Sequence, residues 1–164
     1  MKKLLFTLCF CLLHMAAFSQ FQYRLIDDGK GCAFKKSYCA SMDKSPDKGY
    51  LCLEEDIRYP YIYIAGTYFC DSYYFVRVSF NNGNIYELGG KTSSDNIYVV
   101  LRPPHIKADY DSDEQYDMTA WDMFFNDLKQ CTFVKFRLID EICGNKCYIF
   151  YLKDSKNAVQ FVTL

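Results

Sequence analysis

The residues able to carry chemistry are few and widely spaced. His105, in Arg102-Pro-Pro-His, is the one histidine after His14. A zinc site with two or three histidines is therefore excluded from residues 20–164. A Ser-His-Asp or Cys-His arrangement would have to use His105. No nucleophile-elbow pattern stands beside it, and it reads as a solvated loop residue. The run Asp109-Tyr-Asp-Ser-Asp-Glu-Gln-Tyr-Asp places Asp109, Asp111 and Asp113 at the first, third and fifth positions of a calcium loop. Glu114 stands where that loop needs Gly, and Ala120 where it needs a bidentate Glu. The run reads instead as an acidic loop ahead of a helix, where negative charge suits the positive helix end. Cys143-Gly-Asn-Lys-Cys147 is one residue longer than a redox C-x-x-C motif, and no second close pair completes a four-cysteine zinc site. It reads as a hairpin whose cysteines bridge each other or reach elsewhere. A Gly-rich phosphate loop is lacking. No catalytic residue, cofactor or metal is assigned.

The remaining surface feature is Tyr59-Pro-Tyr-Ile-Tyr-Ile. Alternation along a strand places Tyr59, Tyr61 and Tyr63 on one face, with Ile62 and Ile64 on the other. With the isoleucines in the core, three tyrosines face outward as a surface for a sugar or a protein partner.

These groups sit behind an N-terminal segment, MKKLLFTLCFCLLHMAAFSQ, with the form of a signal peptide. Lys2 and Lys3 make a positive start, Leu4 to Leu13 an apolar run, and Ala17 and Ser19 the small residues before a cut after Ser19. The run is short of the ~20 apolar residues of a membrane span. The sequence thus predicts a leader over 1–19, an exported domain over 20–164 in the periplasm or outside the cell, and no membrane span after cleavage. Cys32, Cys39, Cys52, Cys70, Cys131, Cys143 and Cys147 follow the leader and become disulfide candidates in an oxidising compartment. Their number is odd, so at least one stays free, pairs with another chain or holds something else. At least two bridges are expected.

Of 19 basic residues two lie in the leader, leaving 17 against 20 acidic ones. No Lys/Arg cluster stands out in the sequence, and nucleic acid is not expected as a partner.

Short apolar runs broken by Gly, Asn, Asp, Ser or Pro predict an antiparallel β domain, a sandwich or a partly rolled sheet. Strands are expected over Phe21–Ile26, Cys32–Cys39, Tyr50–Leu53, Tyr61–Tyr68, Tyr73–Phe80, Ile85–Leu88, Ile97–Arg102, Thr132–Ile139, Cys147–Leu152 and Val159–Thr163. Tyr73 to Leu88 forms a hairpin around Asn81-Asn82-Gly83-Asn84. A three-residue loop, Asn82 to Asn84, pairs Val78 with Leu88 and Phe80 with Tyr86, and puts Asn84 in the left-handed region. One helix is predicted near 119–130, capped by Thr119, because Trp121, Phe124, Phe125 and Leu128 recur at helical spacing.

The C-terminal third runs from helix FFNDLKQ through strand TFVKFRLI and a turn to strand YIFYL, with Leu128, Lys129 and Lys135 in an L-K-x₅-K pattern. It resembles the ends of uncharacterised exported β-rich bacterial proteins of Bacteroidetes type. The resemblance implies a fold and adds no mechanism. The expected function is a non-enzymatic interaction or envelope-structural role, with a protein or glycan of the cell envelope as partner. The alternatives are a glycan-binding module using the tyrosines and a small secreted enzyme using His105 or a free cysteine.

Overall fold

The computed structural model describes residues 21–27, 33–42, 48–56, 59–66, 68–103, 117–140 and 143–163. Its strands are β1 (Gln22–Asp27), β2 (Ala33–Ala40), β3 (Tyr50–Glu54), β4 (Tyr61–Ala65), β5 (Tyr73–Phe80), β6 (Ile85–Thr92), β7 (Tyr98–Arg102), β8 (Phe133–Ile139) and β9 (Lys146–Tyr151). They form one antiparallel sheet in the order β1-β2-β3-β4-β7-β6-β5-β8-β9. Among the described residues two helices, α1 (Met118–Gln130) and α2 (Ser155–Val162), accompany the sheet.

Alternation along the strands decides what is covered. On β5, Tyr74, Val76, Val78 and Phe80 are buried while Tyr73, Phe75 and Arg77 are exposed. Leu51, Ile62, Ile64, Leu88, Val99, Phe136 and Phe150 continue this inner face into a single core. α1 lays Trp121, Phe124, Phe125 and Leu128 on it. The Phe124 ring lies 5.7 Å from both Phe80 and Tyr86. α2 reaches β2, where Ser37 Oγ donates to the Ala158 carbonyl at 3.4 Å.

The sheet is partly rolled. Met42, just past β2, donates its N–H to the Ile149 carbonyl of β9 at 2.7 Å, although those strands lie far apart in the sheet order. No strand ladder joins β1 to β9 among the described residues, so the sheet stays open rather than closing as a barrel.

Four expectations are corrected. Val159–Thr163 is not a strand: the segment is α2, whose buried Ser155, Ala158, Val159 and Val162 recur at i, i+3, i+4 and i+7. The hairpin pairs Val78 with Tyr86 and Val76 with Leu88, two residues away from the expected register. Its loop is Asn81 to Gly83, closed by Phe80 N–H to Asn84 O at 3.0 Å and Gly83 N–H to Phe80 O at 3.1 Å. Gly83, at φ 92°, takes the left-handed position instead of Asn84, since glycine adopts it without a Cβ penalty. The two-residue slip keeps every side chain on its expected face. The cap of α1 is Asp117, whose carboxylate accepts from Ala120 N–H at 2.9 Å, and not Thr119.

The fourth correction concerns the cysteines. Among the described residues one disulfide forms, Cys70–Cys143, while Cys39, Cys52, Cys131 and Cys147 are free. Cys39 pairs with Leu51 on the inner face and Cys52 with Tyr38 on the outer, so the sheet itself separates these two thiols. Cys32 lies outside the described residues.

β6 also runs beyond Leu88 to Thr92, through Gly89-Gly90. A Cβ on Gly90 would lie 2.6 Å from Val99 and 3.0 Å from Val76. This glycine permits close packing on the inner face rather than ending the strand.

Candidate functional site

Tyr59 and Tyr61 meet at one cleft of about 210 Å³, lined also by Asp56, Pro60, Ile62, Leu101 and Trp121. Pro60 stands directly before β4, where a missing N–H costs no ladder bond. Tyr59 therefore lies outside the strand and escapes its alternation. Its ring stacks on Phe125 at 5.8 Å and 22°, and its hydroxyl donates to the Asp122 carboxylate. Tyr61 opens β4 on the outer face and is 43% exposed. Burial first, then the charges of Tyr98 and Glu54, push its phenol up from the ordinary value, with Arg102 opposing.

The cleft floor is apolar. Ile62 comes from β4, Leu101 from β7 and Trp121 from the first turn of α1, and all three are buried. Trp121 is held by stacking on Phe124 at 5.1 Å and 10°. Asp56 stands exposed on the rim, beside its bridge to Thr163. Rings, an apolar floor and one rim carboxylate suit a ligand with flat C–H faces and a hydroxyl fringe.

Tyr63 does not join the cleft. It faces outward but is only 6% exposed. Its hydroxyl donates to Glu54 Oε1 at 2.6 Å and accepts from Lys36 Nζ, which is itself 3.1 Å from Glu54. The Tyr98 ring stands 5.1 Å away. Burial and the neighbouring Cys52 and Glu54 drive its phenol strongly upward. Tyr63 is thus a packed member of the outer face, and the expected row of three tyrosines resolves into two cleft residues and one buried one.

Strand order gathers a basic patch that the sequence disperses. Arg77 on β5 stands directly opposite Arg137 on β8 and, on its other side, opposite Glu87 on β6. Lys91, Arg102 and Lys135 share the same outer face by register. Exposed Tyr73, Phe75 and Phe133 lie among them. Because β5 and β8 are remote in the chain, no sequence run signals this patch.

The disulfide closes around a buried carboxylate. Asp140 accepts from the Tyr74 hydroxyl at 2.7 Å and from Cys143 N–H at 2.9 Å. The Tyr74 oxygen in turn accepts from Cys70 N–H at 2.9 Å. Cys70, Asp140 and Cys143 are the one described group with metal-ligand atoms within 4.8 Å of one another. The S–S bond takes both sulfurs, leaving a single carboxylate. Cys147 does not pair with Cys143; it is exposed and faces Arg137 across the ladder. His105 and Asp109 to Gln115 lie outside the described residues.

Comparison with protein-family models, curated proteins and solved structures gives no match, so the functional reading rests on the chain's own residues.

Proposed function

We propose that this chain is a non-enzymatic, exported binding domain that takes a carbohydrate in the Tyr59–Tyr61 cleft. One observation carries the reading: Tyr59, which alternation alone would have aligned with Tyr61 and Tyr63, leaves that row, and together with Tyr61 it lines a cleft with an apolar floor and Asp56 on the rim. A sugar ring laid on Tyr61 gains aromatic contact, and its hydroxyls reach the Asp56 carboxylate and the tyrosine oxygens. Hydrolysis of a glycosidic bond ordinarily uses two carboxylates across the scissile bond. Asp56 is the one carboxylate among the described cleft-lining residues, which favours binding over catalysis. Export is supported by the leader-like N-terminal segment and by the Cys70–Cys143 bridge, a bond that persists in oxidising compartments.

The test is a glycan array probed with the wild-type chain and with Tyr61→Ala and Asp56→Asn variants. The reading expects a defined set of glycans retained by the wild type and lost with Tyr61→Ala. Equal retention by wild type and both variants, or no retention at all, overturns it.

A further inference from the structure

The outer face of β7, β6, β5 and β8 carries Arg102, Lys91, Arg77, Arg137 and Lys135 against one acid, Glu87, among the described residues. The chain as a whole has a net charge of −1, so this gathering of positive charge runs against its overall balance. Arg77 and Arg137 stand directly opposite each other, an arrangement that is unfavourable between neighbouring strands. Neither guanidinium makes an ion pair among the described residues, although Glu87 is the other cross-strand neighbour of Arg77. An anion lying over both arginines removes that repulsion.

An independent observation is the gap at Gly89, which stands between Arg102 on β7 and Phe75 on β5. A Cβ on Gly89 would meet only the Cβ of Arg102, at 4.0 Å, so the outer face is open there. Phe75 is exposed beside the gap, and so is Tyr73 further along the same face. Aromatic faces for sugar rings and guanidinium forks for carboxylates thus share one strip of the sheet.

This strip leads away from the Tyr59–Tyr61 cleft. β4 pairs with β7 so that Tyr63 is opposite Val100, and the same register carried two residues on sets Tyr61 beside Arg102. The Arg102 guanidinium opposes the upward shift of the Tyr61 phenol, as a nearby cation does. From β4 through β7 and β6 to β5 is three strand spacings, about 14 Å, a span for several sugar units rather than one.

We infer that the carbohydrate of the cleft is acidic: a uronate-containing oligosaccharide that continues from Tyr61 over Arg102 and the Gly89 gap to Arg77 and Arg137. The inference rests on the cleft binding sugar. Arg102, Arg77 and Arg137 each offer a planar fork that matches a carboxylate with two parallel N–H bonds. Asp56 on the cleft rim accepts from hydroxyls and repels carboxylates, which orients the acidic units toward Arg102.

The test is isothermal titration of the oxidised chain with oligogalacturonate, with oligomannuronate, and with the methyl ester of each, which keeps the rings and removes the charge. At least one acid should bind, about tenfold or more tighter than its ester, with an affinity that falls as salt is raised. Arg77→Gln/Arg137→Gln should weaken the acid by about tenfold and leave the ester unchanged. Gly89→Leu, which fills the gap, should weaken both forms, and Lys153→Gln beyond this face should weaken neither, with the circular dichroism of all three variants unchanged. Tyr61→Ala should abolish binding of acid and ester alike. Equal affinity for acid and ester, both lost with Tyr61→Ala, would overturn the acidic assignment and leave the cleft reading standing. Acid binding that the arginine variant weakens and Tyr61→Ala spares would take the cleft out of the site and overturn both readings. Failure of both acids to bind, or equally tight binding of oligothymidylate, would overturn the uronate assignment.

Discussion

Tyr86 donates a 2.6 Å hydrogen bond to Oδ2 of Asp127, a carboxylate only 9% exposed on the core side of α1. The same carboxylate accepts from Asn82 Nδ2 at 2.9 Å and Asn84 Nδ2 at 2.8 Å. Asn81 Oδ1 accepts from Thr132 and Phe133 N–H at 2.9 and 3.2 Å. The asparagines that turn the β5–β6 hairpin thus also fasten it to α1 and to the start of β8.

Asp127→Ala leaves three donors without their acceptor. A lost bond to a charged group costs about 1.5–3 kcal/mol, so a destabilisation of about 3 kcal/mol is expected in denaturant melts. Asp127→Asn, which retains one carbonyl acceptor, should cost less. An Ala variant as stable as the wild type would show that the carboxylate does not hold the hairpin.

Phe125→Ala should cost about 3–5 kcal/mol, because the ring packs between Trp121, Phe124 and Tyr59 in the core. The exposed neighbour Asn126→Ala should stay within about 0.5 kcal/mol of the wild type. Equal midpoints for the two variants would contradict the packing of α1.

Peptide mapping under non-reducing conditions should recover Cys70 joined to Cys143, with Cys147 alkylated in the native state. Cys39, Cys52 and Cys131, all buried, should react only after denaturation. The bridge spans 73 residues, and the chain-entropy model assigns such a loop about 4 kcal/mol. Cys70→Ser/Cys143→Ser should lose stability on that order, and a variant melting with the wild type would count against it.

Tyr61→Ala and Tyr63→Ala should separate binding from folding. Tyr61 is 43% exposed, so its loss should change the melting temperature far less than that of Tyr63 while abolishing glycan retention. Tyr63 is buried and joins Lys36 to Glu54, so its loss should lower the melting temperature by several degrees. The reverse pattern would misplace both residues.

Stability should fall on the alkaline side. Burial pushes the Cys52 thiol up from 9.0 to about 11, with opposing influences from Lys36 and Tyr63. Burial also raises Cys39 and Tyr86, the latter helped by Asp127. Above about pH 9 the unfolded chain releases these protons while the folded chain keeps them. The folded state then binds more protons and stability drops as pH rises, for Cys52 through the window from about 9 to about 11. Thermal melts across that range check the sign, and Cys52→Ala should flatten the slope. A melting temperature constant from about pH 9 to about 11 would refute the linkage.

Local pattern settled much of this protein. Alternation at β5 and the i, i+3, i+4, i+7 stripe of α1 both appear as read, because each depends on neighbours a few residues away. The same stripe was present in Ser155, Ala158, Val159 and Val162. It was masked by β-branched valines that suit a strand equally well in isolation, and docking of α2 on β2 and β3 resolved the tie.

Tertiary structure alone decided the rest. Hairpin register came from the asparagine contacts with Asp127 and from Gly83, neither visible in periodicity. Cys143 found Cys70, 73 residues away, instead of Cys147, because chain closure selects partners by spatial approach rather than spacing. Tyr59 left the row of Tyr61 and Tyr63 because Pro60 places it outside the strand and Phe125 offers its ring a stacking surface. Arg77 met Arg137 only when β8 paired with β5. Side-chain direction within a strand is a local property of the backbone, whereas which strands and helices meet depends on burying apolar faces that lie far apart in the chain.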